Sequence, residues 1–208
     1  MHDIIIVGAD IEIIELIESL NQFRIIGIIE KNLKKNKYYD YKILGNDENA
    51  IDIMRETGTK NIIITLDNPN QREKLYISYF KLGCRFPKII SKTAQISNYS
   101  NLSEGVIIQD NVVISSNVTI GKLVKVNINS TIMHDVIINN FVTVAPNVTT
   151  LGYVKIGKNS FIGASCTILP HLAIGQNVII GAGSIVTKNI RKNSVYVGNP
   201  AKRLKDNI

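Results

Sequence analysis

The chain has 208 residues, 45% of them hydrophobic and 20% charged, with a formal net charge of +7 at pH 7. That length suits one large domain or two small ones, and the composition suits a folded globular protein. No apolar run reaches the roughly 18 residues that a spanning helix needs, and no basic helix, aromatic–basic interleaving or zinc-finger spacing occurs, so neither membrane nor nucleic acid is an expected partner.

The chain opens with MHDIIIVGAD, which lacks the basic start and small-residue cleavage site of a signal peptide, so a cytoplasmic protein is expected. The stretch DIIIVGA, 3–9, reads as a buried strand, IEIIELIESLNQF, 11–23, as a helix, and RIIGIIE, 24–30, as a second strand. DENAIDIMRETG, 47–58, reads as a helix, KNIIITL, 60–66, as a third strand, and NPNQREKLYISYFKLG, 68–83, as a third helix. Strands alternating with helices predict a small parallel sheet of βαβ units, and continuous aliphatic runs suit strands covered on both faces. Cys84 and Cys166 lie far apart without metal-like spacing and read as reduced, buried thiols.

Near residue 90 the pattern changes. Every sixth residue from Ile96 to Val186 is Ile, Leu or Val except Thr150, with no insertion. Four residues after each there is commonly a Val or a small residue, as at Val106, Ser130, Ser160 and Cys166. Three residues after each there is often Asn, Asp or Gly, types that tolerate left-handed backbone angles and suit recurrent corners. This period predicts a hexapeptide β-solenoid of about five eighteen-residue, three-sided coils, with the aliphatic positions inside. Two domains are therefore expected, 1–88 and 89–208.

The segment STIMHDVII, 130–138, places His134 and Asp135 at one corner. Residues eighteen apart stack on adjacent coils roughly 4.8 Å apart, so Gly152 should lie above His134, just after the interrupted position Thr150. A histidine that takes a proton, a carboxylate that orients it and a glycine N–H open to a ligand are ingredients of an acyl-transfer site. The same residues also suit a solvated corner with Asp135 as a turn former, and spacing alone leaves both readings open.

The hexapeptide array, MHDVII, the glycine eighteen residues on and the ending SIVTKNIRKNSVYVGNPAKRL resemble the bacterial sugar acyltransferases of the left-handed β-helix class. With the βαβ half, the chain is similar to the family of sialic acid O-acetyltransferases and N-acetyltransferases of nucleotide-linked 4-amino sugars. The resemblance implies an α/β, Rossmann-like acceptor-binding domain followed by a left-handed parallel β-helix. It implies an acetyl-CoA-dependent N-acetyltransferase of an amino sugar, in particular a nucleotide-linked 4-amino-deoxysugar for surface glycans, with sugar O-acetylation as the alternative; a non-catalytic binding module is a reading from a different class. The family's base falls on His134, its acidic partner on Asp135, and its backbone contact to the acyl group on Gly152. Its contacts to acetyl-CoA fall on Thr143, Ala164 and Ala182, with Gly152 adjoining, and Thr143 stands where many relatives have a second histidine. A homotrimer is implied as well.

In the N-terminal half the relatives' glycine-rich loop is replaced by VGADIEI, so Gly8, Ala9 and Asp10 take its place, with Glu30 at the end of the second strand and Asn68 and Arg72 after the third as further acceptor-side candidates. One glycine and two acids make a poor phosphate cradle. Lys188, Arg191, Lys192, Lys202 and Arg203 read as a solvated basic end, with coenzyme phosphates as the functional alternative for Lys188 and its neighbours. His134 and His171 are about 10 Å apart along the solenoid, too far to share a metal within one chain. No metal is expected.

Overall fold

In a computed structural model that describes residues 1–31 and 36–207, the chain forms two compact units. One comprises Met1–Leu66 and Gln71–Pro87, the other Asp67–Asn70 and Lys88–Ile208. No helix among the described residues is long and apolar enough to cross a membrane.

The first unit carries β1 (His2–Val7), α1 (Ile11–Leu20), β2 (Phe23–Ile29), β3 (Lys37–Tyr38), β4 (Tyr41–Gly45), α2 (Ala50–Thr57), β5 (Ile62–Ile64) and most of α3 (Pro69–Lys81). The sheet order is β3-β4-β2-β1-β5, parallel except for β3 against β4. Ile4, Ile5, Ile6, Ile28 and Ile62 to Ile64 are fully or almost fully buried, as parallel strands with covered faces require. α1 turns Ile13, Ile14, Leu16, Ile17 and Leu20 onto this core. It ends three residues earlier than the hydrophobic pattern predicts, because Asn21 adopts a left-handed conformation (φ 55°) and returns its N–H to the Glu18 carbonyl. The hairpin β3–β4 was not legible as strands. It has no alternating apolar pattern, and β4 joins the sheet through the backbone of β2.

The second unit is a three-sided left-handed β-helix. Two-residue strands stack into three parallel sheets whose partners are eighteen residues apart, as in Val113↔Thr131, Thr119↔Ile137 and Lys125↔Thr143. Pairing begins at Ile89 and Ile90, one strand before the first residue of the counted series. The inner column and the small position four residues on are buried together, for example Ile132 with Val136 and Ile162 with Cys166, all at 0% exposure. From Gly105 to Gly183 every sixth residue has positive φ without a break. The coil imposes this even on Leu123, Phe141, Tyr153, Ser165 and His171, at a cost of about 1–2 kcal/mol for each residue with a Cβ. The last turn is shortened: Val178 pairs with Ser194, sixteen residues on, and an antiparallel hairpin of Ser194–Val197 and Lys202–Asp206 extends the eight-stranded sheet.

Residues 67–70 lie on that eight-stranded sheet. Asp67 Oδ1 is 2.9 Å from the buried Lys125 ammonium, the Thr143 hydroxyl donates to the Asp67 carbonyl at 2.7 Å, and the Asn159 amide donates to Asn70 at 3.0 Å.

Candidate active site

His134 and Asp135 occupy one corner of the β-helix, directly after the strand Thr131–Ile132. Asp135 has φ 59° and donates its N–H to the Ser116 carbonyl one coil away. It is thus a left-handed turn former, and the same turn aims its carboxylate at the preceding ring. His134 Nδ1 lies 2.9 Å from Asp135 Oδ2. The other carboxylate oxygen accepts a longer bond, 3.4 Å, from the Asn117 side chain. A carboxylate only accepts, so Nδ1 carries the hydrogen and Nε2 keeps its lone pair. The two side chains are 44% and 31% exposed, so a substrate can reach them.

Gly152 stacks above, as the eighteen-residue register requires. A Cβ built there would lie 2.6 Å from His134 Cε1 and 2.9 Å from Nε2. The imidazole therefore rests against the glycine, and the absence of a side chain makes room for it. The Gly152 carbonyl accepts from His171 N–H, and among the described residues its own N–H has no partner. The same corner slot two coil-sides away is filled by side chains, with Lys122 N–H donating to Asn140 Oδ1; at Gly152 the amide stays available to a ligand oxygen.

Two neighbours of the base had no place in the sequence expectation for this site. The Tyr153 ring packs edge-on to His134 at a centroid distance of 5.3 Å and stacks on His171 at 4.7 Å, 7° from parallel. From the sequence, His171 enters only as a candidate metal ligand. Among the described residues no group of three His, Cys, Asp or Glu side chains could hold a metal.

Ala164 and Ala182 stack as one column, and both carry small side chains on the outside of a corner. They follow strands Phe161–Ile162 and Val178–Ile180 of the eight-stranded sheet, whereas His134 and Gly152 follow strands of the six-stranded one. The alanine column is therefore on a different corner from the base. Lys188 is exposed and lies on the His134 corner, further along the register. Thr143 is 1% exposed and its hydroxyl is engaged by Asp67, so the donor expected to face a coenzyme is committed within the fold.

The acceptor-side candidates separate in the same way. Gly8, Glu30, Lys31, Asp47, Gln71 and Lys74 are among the residues that line a cavity of about 430 Å³ within the first unit. Gly8 has φ 96°, a backbone conformation that a residue with a Cβ rarely adopts, and a Cβ there would also press on the Leu66 and Thr65 side chains, so the turn favours a glycine. Ala9 N–H donates to Glu30 Oε2 at 3.0 Å, and Asp10 caps α1 by accepting from the N–H groups of Glu12 and Ile13. The protein's own carboxylates thus occupy donors that a phosphate would use in a glycine-rich loop. Arg72 is 1% exposed with Nη1 2.5 Å from the Leu66 carbonyl; its guanidinium braces the segment that follows β5 and is not among the residues that line the cavity. Asn68 is exposed and belongs to the second unit. At the cavity wall Asp47 accepts from the Tyr79 hydroxyl at 2.7 Å, and burial, reinforced by that carboxylate, pushes the phenol well above its usual range.

Both cysteines are free and buried. Burial pushes the Cys84 thiol up to about 11 and raises Cys166 as well, which disfavours the thiolate that a nucleophile needs.

Residues 153–188 match the bacterial transferase hexapeptide (six repeats) model, and residues 99–122 match the hexapeptide repeat of succinyl-transferase. The protein is a hexapeptide-repeat, left-handed β-helix protein with an N-terminal Rossmann-like sheet. Its fold is similar to that of a histidine-to-asparagine mutant of perosamine N-acetyltransferase from Caulobacter crescentus, in complex with CoA and GDP-perosamine: 23% identity, 99% of this chain and 98% of that chain, TM-score 0.93. It is also similar to the acetyltransferase domain of PglB from Neisseria gonorrhoeae in complex with acetyl coenzyme A, at 22% identity over 98% of this chain and 99% of that chain, TM-score 0.89. WeeI from Acinetobacter baumannii matches at 27% identity over 98% of this chain and 100% of that chain, TM-score 0.89. Comparison by sequence with curated proteins finds no match.

Proposed function

We propose that the protein is an acetyl-CoA-dependent N-acetyltransferase whose acceptor is an amino sugar, in particular a nucleotide-linked 4-amino-deoxysugar. The observation that carries this reading is the His134 imidazole, tied at Nδ1 to Asp135, with Nε2 left open beside Gly152. The fold is shared with the perosamine enzyme whose structure holds CoA and GDP-perosamine. In the proposed reaction His134 Nε2 removes a proton from the sugar amine as its nitrogen attacks the thioester carbonyl. Asp135 stabilises the imidazolium that forms, and the Gly152 N–H donates to the oxygen that gains charge. The imidazolium then returns the proton to the departing sulfur, which regenerates the base.

Ala164 and Ala182 would leave room for the extended arm of the coenzyme, and Lys188 with Arg191 and Lys192 would supply positive charge for its phosphates. Lys31 and Lys74 at the cavity of the first unit are the cations placed to meet an acceptor's phosphates there, since the loop amide and helix N-terminus are already satisfied. The active assembly is a homotrimer in this reading. A screen of free and nucleotide-linked amino sugars with acetyl-CoA, read by mass spectrometry, tests the function. An acceptor heavier by one acetyl group is the expected result. Absence of both product and coenzyme binding across the panel would overturn the reading.

A further inference from the structure

At most corners of the β-helix the left-handed slot is held by Asn, Asp or Gly, but beside the base it is held by Tyr153 and His171. Each has φ 63°, a conformation that Asn adopts far more readily than a bulky side chain. Core packing does not account for them: Tyr153 is 48% exposed and His171 is also exposed. What the two share is contact along one edge. His171 stacks on Tyr153, and Tyr153 meets the His134 ring at 86°.

His134 needs this contact for a geometric reason. Asp135 holds the imidazole at a single atom, Nδ1. A ring fixed at one point can still swing about that bond, and Gly152 has no side chain to limit it. A base that acts through Nε2 needs a second restraint, because a misplacement of about 1 Å lowers the rate on the order of 10²-fold. Tyr153 touches the ring from the adjacent coil, and its own plane is fixed by the stack with His171. We infer that Tyr153 is a positioning residue for His134, and that His171 acts through Tyr153 by holding its ring. The inference rests on the reading of His134 as the general base.

The test compares Tyr153→Asn, Tyr153→Phe and His171→Asn with the wild type. Asn suits the left-handed corner and removes only the ring, so the coil is retained. Two readouts are taken on the assembly that the full chain forms: kcat and KM with the best acceptor, and the ring ¹⁵N signals of His134 by NMR, whose shifts and line widths report the ring's surroundings and mobility. Tyr153→Asn should lower kcat about tenfold, the rate equivalent of one aromatic pair, with KM for acetyl-CoA within about twofold. The His134 signals should keep the Nδ1–H tautomer that Asp135 holds but shift and broaden, as a ring that has lost its second restraint samples several positions. Tyr153→Phe should restore the wild-type rate and signals, and His171→Asn should fall between. If Tyr153→Asn does not fold, His171→Asn gives the same readouts with the phenol in place. Wild-type kcat together with wild-type His134 signals in the ring-deleted protein overturns the inference. So does a rise in acceptor KM with unchanged signals, which would make Tyr153 a substrate contact. If the wild type acetylates no sugar, the functional reading fails by itself, and the NMR comparison alone decides the role of Tyr153.

Discussion

A Cβ on Gly152 would sit 2.6 Å from His134 Cε1, and what it meets is the end of a side chain and not backbone. Gly152 is also not among the glycines with positive φ. Gly152→Ala should therefore fold with little loss of stability while displacing the imidazole, and a rate reduced on the order of 10²-fold is expected. Steady-state kinetics beside a thermal melt checks this; a normal rate would show that the ring position is immaterial. His134→Ala should lower kcat by about 10²–10⁴-fold, the usual worth of a positioned general base. Asp135→Asn keeps a residue suited to φ 59° and removes only the charge, so it should cost less, and an unfolded Asp135→Asn would mark the carboxylate as structural. The trio His134, Asp135 and Gly152 was legible because parallel, in-register stacking converts a count of eighteen residues into a spatial contact. Tyr153 and His171 were missed because their slot reads as a turn position whatever occupies it. The family resemblance casts Thr143 and Arg72 as ligand contacts, yet they bond the Asp67 and Leu66 carbonyls, and no pattern in the sequence reports such partners.

Along a coil, the inner small positions show how the β-helix accepts polar atoms. Ser130, Ser160 and Ser184 are fully buried, and each donates its hydroxyl to a backbone carbonyl, of Ala145, Gly175 and Gly181 respectively. Thr150 occupies an inner aliphatic position with 0% exposure, and its Oγ1 has no partner among the described residues. Leaving a buried hydroxyl unpaired costs about 1–3 kcal/mol. Valine has nearly the same shape and removes the hydroxyl, so Thr150→Val should raise the melting temperature by a few degrees, about 2–4 °C for each kcal/mol in a chain of this size. An unchanged or lower melting temperature in a scanning-calorimetry comparison would mean that the hydroxyl is satisfied in solution. The solenoid elements were readable because their period is one-dimensional and free of insertions from Ile96 to Val186. Elements set by pairing alone were not: the hairpin of Lys37–Tyr38 with Tyr41–Gly45 and the C-terminal hairpin of Ser194–Val197 with Lys202–Asp206 carry no repeating apolar signal.

For the molecule as a whole, the base and the alanine column lie on two different corners of the β-helix, separated by the six-stranded face. A coenzyme that runs along Ala164 and Ala182 and presents its thioester to His134 either crosses that face or is shared between two chains. A cyclic trimer would set the His134 corner of one chain against the alanine corner of the next and so join the two halves of the site. Exposed apolar side chains near these edges, Ile128, Val113 and Ile137, give such contacts something to bury. Light scattering should then report about 69 kDa, three times the 23.1 kDa chain. A sharper test uses two inactive variants, His134→Ala and Ala182→Trp, the second blocking the coenzyme column. If each site takes its base from one chain and its column from a neighbour, co-expression in equal amounts rebuilds intact sites from one unaltered corner of each variant, about a quarter of all sites when chains mix at random in a ring. Activity should return to about a quarter of the wild-type level. If the whole site lies on a single chain, every chain in the mixture carries one lesion and nothing is restored, which would place the coenzyme across the six-stranded face of its own β-helix.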